Sequence, residues 1–307
     1  MQRAYLAGLE VSRIILGCGN FGGIGSAPEL FGHGESQEEA FAILDAAWAS
    51  GITTFDTADA YGGGRSERYL GAWLASRRPN GAVVATKTFN PMEAGGDHGL
   101  APERVRRQVD SSLQRLGLER VDLFLTHAWD ADVPFAETAG ALDELVAAGK
   151  IGAYGISNVD GAQLREAIDS GNPQWVQDSY SLLDRGVERD VLPLCRAHAL
   201  GFTPYSPLSG GWLTGKYRRD AQPPADSRMT LRPGPYAHLR TDAVYDALER
   251  LQELGDPATL AFAWLFAQPD VTAVVAGVRR PEQLTPPLAA LETQVDAAAL
   301  AALFDQS

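Results

Sequence analysis

Short, wholly apolar runs alternate along the chain with longer stretches in which apolar side chains return every three or four positions. The short runs fall at residues 14–17, 53–56, 82–87, 121–127, 153–157, 175–178, 202–206 and 271–277, and each reads as a strand. Strands that are apolar throughout belong in a parallel sheet with a covered outer face. The longer stretches read as helices. Val105, Val109, Leu113 and Leu116 lie on one helix face, with Gly117 placed to end it. Tyr69, Leu70, Trp73 and Leu74 repeat the pattern behind Ser66, a candidate N-cap. Before the first strand, Tyr5-Leu6 and Glu10-Val11 flank Gly8 and predict a hairpin. A last apolar pattern covers residues 295–304.

Eight strand-then-helix units in 307 residues predict a closed (β/α)8 barrel, for which roughly 250 residues is typical. An open doubly wound sheet is the alternative. It calls for a Gly-x-Gly-x-x-Gly turn that opens a helix after the first strand. The match at Gly17-Cys-Gly-Asn-Phe-Gly22 leads instead into a long loop, which suits a barrel mouth. Nothing resembling a linker divides the chain, so one domain over 1–307 is expected. The long irregular stretch 209–240, after the seventh strand, is rich in Gly, Pro and charge and reads as a solvated loop covering the substrate.

Charge narrows the partners. A formal net charge of −13 argues against nucleic acid and anionic membrane surfaces. It also makes isolated Lys and Arg residues at loop ends informative, because an anionic cofactor would need them. Cys18 and Cys195 provide no disulfide framework and no metal spacing, so no metal is expected. With no basic-then-apolar leader and no membrane-length apolar run, a cytoplasmic setting is expected.

Three of the strands end in groups that carry protons. The second ends in Asp56, the third in Lys87 and the fourth in His127, and Tyr61 follows on the Gly-rich loop after Asp56. In a barrel, all strand carboxyl ends open on one face. A free phenol has a pKa near 10, too high for efficient proton exchange at neutral pH. A neighbouring ammonium on Lys87 would favour the phenolate, with Asp56 holding that lysine charged and His127 hydrogen-bonding a substrate oxygen or the phenol. Each residue alone has a plainer explanation: a loop cap, an edge lysine, a satisfied histidine, a rim aromatic. Four of them at strand ends point to a site.

The motifs Phe55-Asp-Thr-Ala-Asp-Ala-Tyr-Gly62, Ala85-Thr-Lys87, residues 118–127 and 152–158, and Tyr205-Ser-Pro-Leu-Ser-Gly-Gly-Trp-Leu-Thr-Gly-Lys216 resemble those of the aldo-keto reductases over nearly the whole chain. That resemblance implies reduction of a small-molecule carbonyl with NADPH, NADH being possible. It implies Tyr61 as general acid, supported by Asp56, Lys87 and His127. Ser157, Asn158 and Gln177 would hydrogen-bond the nicotinamide carboxamide, and Tyr205 would stack on its ring. Ser206, Pro207, Leu208, Gly210 and Lys216 would hold the pyrophosphate. Gly277, Arg279 and Gln283 would serve the adenosine end, with Arg279 and Arg280 facing a 2′-phosphate. Asn20 and Phe21 would touch the cofactor, and Phe21 and Trp129 would line the substrate pocket.

Two departures from the family pattern stand out. Pro286 and Pro287 occupy positions where a Glu and an Asn commonly read the adenine, and they push back or distort the helix that follows the last strand. Asn20-Phe21 stands where many relatives carry Thr-Trp, so substrate preference does not carry over. Two other functions on the same fold are a biosynthetic reductase of nucleotide-activated deoxysugars and a redox-sensing binding subunit. The first would use basic residues such as Arg218, Arg219, Arg228 and Arg232 on the substrate loop.

Overall fold

A computed structural model describes residues 1–305. An antiparallel hairpin, β1 (Arg3–Leu6) and β2 (Leu9–Ser12), comes first. Eight parallel strands follow: β3 (Ile14–Gly17), β4 (Thr54–Asp56), β5 (Val83–Thr88), β6 (Val121–Thr126), β7 (Ile151–Ser157), β8 (Trp175–Gln177), β9 (Gly201–Phe202) and β10 (Val274–Gly277). They pair in the order β10-β3-β4-β5-β6-β7-β8-β9. The helices between them are α1 (Gln37–Ala49), α2 (Arg65–Arg77), α3 (Pro102–Leu116), α4 (Phe135–Ala147), α5 (Gly161–Ser170) and α6 (Val191–Ala197). After β9 come α7 (Arg228–Leu231), α8 (Asp242–Leu254) and α9 (Pro257–Phe266), and after β10 come α10 (Thr285–Ala290) and α11 (Ala297–Ala302). Among the described residues no helix is long and apolar enough to cross a membrane.

The ends of this sheet meet, which makes it the expected (β/α)8 barrel. Thr272 N–H donates to Phe202 O at 2.8 Å and Val275 N–H to Pro204 O at 2.9 Å. The seam is irregular for a definite reason. Thr203 donates to Val176 O of β8 and Tyr205 to Asp178 O just beyond it, so residue 204 faces β10, and Pro204 has no N–H to give. The seventh strand therefore ends at Phe202 rather than at 206, and Tyr205 keeps only an isolated bridge to Ser179. Residues that alternate inward, among them Ile15, Val83, Ala85, Leu123, Leu125, Trp175 and Val275, form an inner cluster. Leu6 and Val11 of the hairpin join it, next to the first residues of β8 and β9, and close the end away from the strand tips. A second cluster, with Phe55, Trp73, Phe202 and Trp264, fills the space between strands and helices.

Several local expectations change in the folded chain. Ser66 lies one residue inside α2, behind Gly64 in the left-handed conformation, and its buried hydroxyl donates to Cys18 O at 2.9 Å. The stretch 209–240 is anchored by buried Trp212, Leu213, Tyr217, Met229 and Leu239 and contains α7 and two 3-10 turns, so it is a packed cover and not a bare loop. Pro286 and Pro287 do delay the helix: a 3-10 turn over Pro281–Leu284 precedes α10, which starts at Thr285. Both prolines then sit in its first turn, where the missing N–H groups would have no intrahelical partner anyway. The last helix is confined to Ala297–Ala302.

α2 crosses α3 at Gly71, where a Cβ would stand 2.6 Å from Leu116 O and 2.7 Å from Arg115 O. Alanine there gains about 1 kcal/mol of helix propensity, against about 1–3 kcal/mol for overpacking on backbone. Gly71→Ala is therefore expected to lower the unfolding free energy in urea. Unchanged or raised stability would mean that the two helices separate freely at this point.

Candidate active site

The strand period of two delivers the polar groups to the mouth. On β5, Val83 and Ala85 point into the barrel and Lys87 is the next inward position. On β6 the same series runs Leu123, Leu125, and one step beyond the strand, His127. Pairing of Asp56 with Ala85 puts the carboxylate beside the Lys87 side chain. The chain past β4 then follows β5, Thr57 N–H bonding Ala85 O and Asp59 N–H bonding Lys87 O. A 3-10 turn at Tyr61–Gly63 swings the phenol over the lysine. The turn needs its glycine: Gly62 has φ 58°, and a Cβ there would meet Phe21 O at 2.7 Å.

The four expected side chains converge. Lys87 Nζ forms an ion pair with Asp56 Oδ1 and donates to Thr57 O at 2.9 Å and Tyr61 Oη at 3.4 Å. Tyr61 Oη lies 3.4 Å from His127 Nε2, with the two rings edge to face. Asp56 is satisfied on its other oxygen by Gln177 Nε2 at 2.9 Å. Lys87 and Asp56 are buried, while Tyr61 and His127 keep part of their surface at the mouth.

Burial governs the proton affinities here. It lowers the Lys87 ammonium, but the Asp56 carboxylate and the Tyr61 phenol outweigh it and leave the lysine above its ordinary value. Burial pushes Tyr61 above its ordinary 10.0, and Lys87 only partly opposes it. This corrects the expectation that the lysine would bring the phenol towards neutrality. Asp56 also works against the lysine, and the phenol stays protonated, the form that gives a proton. His127 is pushed down to about 3 by burial and then by Lys87, so its imidazole is neutral.

Around this centre, Asn158 donates to His127 O at 2.7 Å and accepts from Tyr205 Oη at 2.5 Å, while Ser157 is buried beside it. Asn158, Ser206 and Ser209 all have positive φ, a strained conformation for side-chain-bearing residues that gathers at functional sites. Trp129 is half-buried and stacks on Phe135 at 5.3 Å. Phe21, expected to line the substrate pocket, has 0% exposure and packs in the outer cluster, so the structure does not bring its ring to the open mouth. Gly277 is exposed at the end of β10.

Beyond Tyr205 the chain turns through Pro207 and Leu208 to Gly210 and Gly211, with φ 64° and 94°. A side chain at Gly211 would run into the Lys216 ammonium. Lys216 lies near Arg228 and Arg279. Desolvation and then these like charges hold it below its ordinary pKa. Arg228 is lowered by burial, with Arg279 adding to it. Three mutually repelling cations beside glycine backbone fit the phosphates of a dinucleotide. One carboxylate counters them: Glu35, 4% exposed, accepts from Arg279 Nε at 2.6 Å, and its Oε2 has no partner. Gln283 Oε1 accepts from Arg279 N at 2.8 Å, and Arg280 is exposed. Arg228, expected as part of a solvated loop, is instead half-buried and bonded to Asn20 Oδ1. Among the described residues no group of His, Cys, Asp and Glu is placed to hold a metal.

Sequence reading missed Glu35, Asp59, Asn90 and Arg104. Asn90 lies against His127 Nδ1, and Arg104 is a buried guanidinium beneath it. Asp59 lies inside the Phe55–Gly62 motif, but nothing in that motif marks it as 0% exposed. The other three carry no local signal.

The model of the Aldo/keto reductase family matches residues 13–305. The chain is 34% identical to an NADH-specific methylglyoxal reductase of Escherichia coli, over 95% of this chain and 94% of that protein. It is 32% identical to a probable voltage-gated potassium channel subunit beta of Oryza sativa, over 93% and 89%. A solved glycerol dehydrogenase of Gluconobacter oxydans superposes with a TM-score of 0.84 at 27% identity, covering 99% of this chain and 94% of its own.

Asp59 yields a prediction about pH. Its carboxyl is pushed from 3.8 up to about 7, by burial first and by the Glu67 charge second. The folded state thus holds this proton more tightly than the unfolded chain. The stability it contributes is present below about pH 4 and is lost as the pH rises through 7. Asp59→Asn keeps an oxygen for the Thr88 hydroxyl, which donates to Asp59 Oδ2. The variant's Tm should therefore gain on wild type between pH 4 and 8. Parallel Tm curves would place the titration elsewhere.

Proposed function

The chain belongs to the Aldo/keto reductase family, and from that membership we propose that it reduces an aldehyde or ketone to the alcohol with NADPH, using Tyr61 as general acid. The observation that carries the reading is the contact series Asp56–Lys87–Tyr61–His127 at one barrel mouth. Once bound, a nicotinamide cofactor would supply the hydride for the carbonyl carbon. Tyr61 gives its proton to the carbonyl oxygen, and the phenolate left behind is held by the Lys87 ammonium, which Asp56 keeps charged. His127, neutral, donates a hydrogen bond to that same oxygen and polarises it. Gln177 steadies Asp56 through its amide nitrogen, leaving its oxygen for the carboxamide alongside Ser157 and Asn158. Tyr205, oriented by Asn158, forms the platform for the nicotinamide ring.

The choice of cofactor rests on Lys216, Arg228 and Arg279. Lys216 and Arg228 supply charge for the pyrophosphate that both cofactors share, and Arg279, expected at the 2′-phosphate, is the residue that favours NADPH. The NADH-specific relative and the pairing of Arg279 with Glu35 weigh towards NADH. A redox-sensing binding subunit is the second reading, favoured by the likeness to a channel subunit. Steady turnover of excess aldehyde by the wild type separates it from the enzyme reading.

Two experiments test the mechanism and the cofactor. Tyr61→Phe should keep the Kd for NADPH and lose about 10²–10⁴-fold in kcat with methylglyoxal or glyceraldehyde as probes. Retention of more than about a tenth of kcat would remove Tyr61 from the acid role. Arg279→Ala should weaken NADPH about tenfold or more, since a charge-assisted phosphate contact is worth about 1.5–3 kcal/mol, and should leave NADH little changed. Glu35→Gln, which frees Arg279, should strengthen NADPH more than NADH. Equal effects on both cofactors would give these side chains a structural role, and a wild-type preference for NADH would overturn the assignment.

A further inference from the structure

We propose that Asn90 is a positioning residue that locks His127 in the tautomer with its proton on Nε2, ready to donate to the carbonyl oxygen. The inference rests on the donor role given to His127 above and deepens it. The starting point is the hydrogen-bond capacity of the phenol. Tyr61 Oη has one proton and two lone pairs. Lys87 Nζ, an ammonium, can only donate, and it occupies one lone pair at 3.4 Å. On the reading that the phenol's proton is reserved for the substrate, the contact with His127 Nε2 at 3.4 Å is one in which the oxygen accepts. Nε2 therefore carries the ring proton. A neutral imidazole has one N–H, which leaves Nδ1 as an acceptor in need of a donor. The group facing it is the Asn90 side-chain amide, with Nδ2 at 3.2 Å.

Asn90 is well placed to impose this choice, because its backbone is fixed independently of the histidine. Arg104, from the first turn of α3, sends Nη2 to Asn90 O at 3.0 Å. The same guanidinium, 4% exposed, bonds Thr88 Oγ1 at 2.8 Å and Gly99 O at 2.9 Å. His127 is pinned to the same strand end, its N–H bonding Thr88 O at 2.9 Å, and its carbonyl is held by Asn158. Both members of the pair are thus tied to the tip of β5, and the amide meets the ring in a fixed relation. Without that donor, Nδ1 could take the proton, and Nε2 would turn a lone pair towards the carbonyl oxygen and repel it.

The test reads the tautomer directly. The full-length chain has five histidines and can be labelled with ¹⁵N-histidine, the His127 signals being assigned by their loss in His127→Gln. Long-range proton–nitrogen correlation then shows which ring nitrogen is protonated, with no turnover involved. The wild type should show Nε2–H and an unprotonated Nδ1. Asn90→Asp presents a carboxylate that can only accept, so the proton should move to Nδ1. In that variant kcat with methylglyoxal should fall about 10²–10³-fold, the scale for losing one donor to a developing oxyanion. Its Kd for NADPH, read by protein fluorescence, should not change. A wild-type ring protonated on Nδ1 overturns the proposal, and so does an Asn90→Asp ring that stays protonated on Nε2. A tautomer that moves as expected with kcat unchanged upholds the role of Asn90 and overturns the reading of His127 as donor.

Discussion

The ion pair between Lys87 and Asp56 is the constraint around which the mouth is built. Its side chains are 1% and 4% exposed, so two charges have been taken almost wholly out of water. Removing one partner of such a pair typically costs about 3–5 kcal/mol, because the other is left uncompensated. The surroundings follow from that cost. Gln177 reaches from β8 to satisfy the second oxygen of Asp56, and the carbonyl of Thr57 takes another ammonium proton. The last donor of the lysine is aimed at Tyr61. A stable buried cation is thereby turned into a hydrogen-bond donor with one free direction, where the phenol stands.

A second buried network supports the first from behind. The outward-facing residues of β5 carry it: Thr86 donates to Glu67 at 2.6 Å, and Thr88 links Asp59 to Arg104. Arg115 closes the other side of Glu67 at 2.5 Å. One short strand therefore presents Lys87 to the site on its inner face while Thr86 and Thr88 tie α2 and α3 to its outer face. The loop carrying Tyr61 and the loop carrying Asn90 are both held to that strand. Any slip in the register of β5 would disturb all of them together.

The cofactor side obeys a different rule. Arg279 follows β10, and Lys216 and Arg228 lie in the segment after β9, so they are brought near Glu35 only because the barrel closes between β9 and β10. Three cations that repel one another leave the space between them favourable to an anion. Glu35 supplies part of that charge. The phosphates of a dinucleotide are the natural remainder.

The sequence by itself determined the barrel and the four proton-bearing residues, because both are written in short-range pattern. Apolar runs of strand length, separated by helical periodicity, leave few architectures open, and Asp56, Lys87 and His127 sit where those runs stop. Strand limits were less legible. Pro204 shortened the seventh strand through a hydrogen bond it could not make, a consequence that depends on which neighbour residue 204 faces. Only the tertiary structure decided that Arg228 turns inward to Asn20, that Phe21 is buried in the core, and that burial outweighs Lys87 in setting the phenol. It also decided the surroundings of Asn90, Glu35, Asp59 and Arg104. These are polar residues whose meaning comes from partners up to 244 positions away, as between Glu35 and Arg279. A hydrogen bond or a desolvation penalty belongs to a pair or an environment, and no local pattern in the chain encodes it.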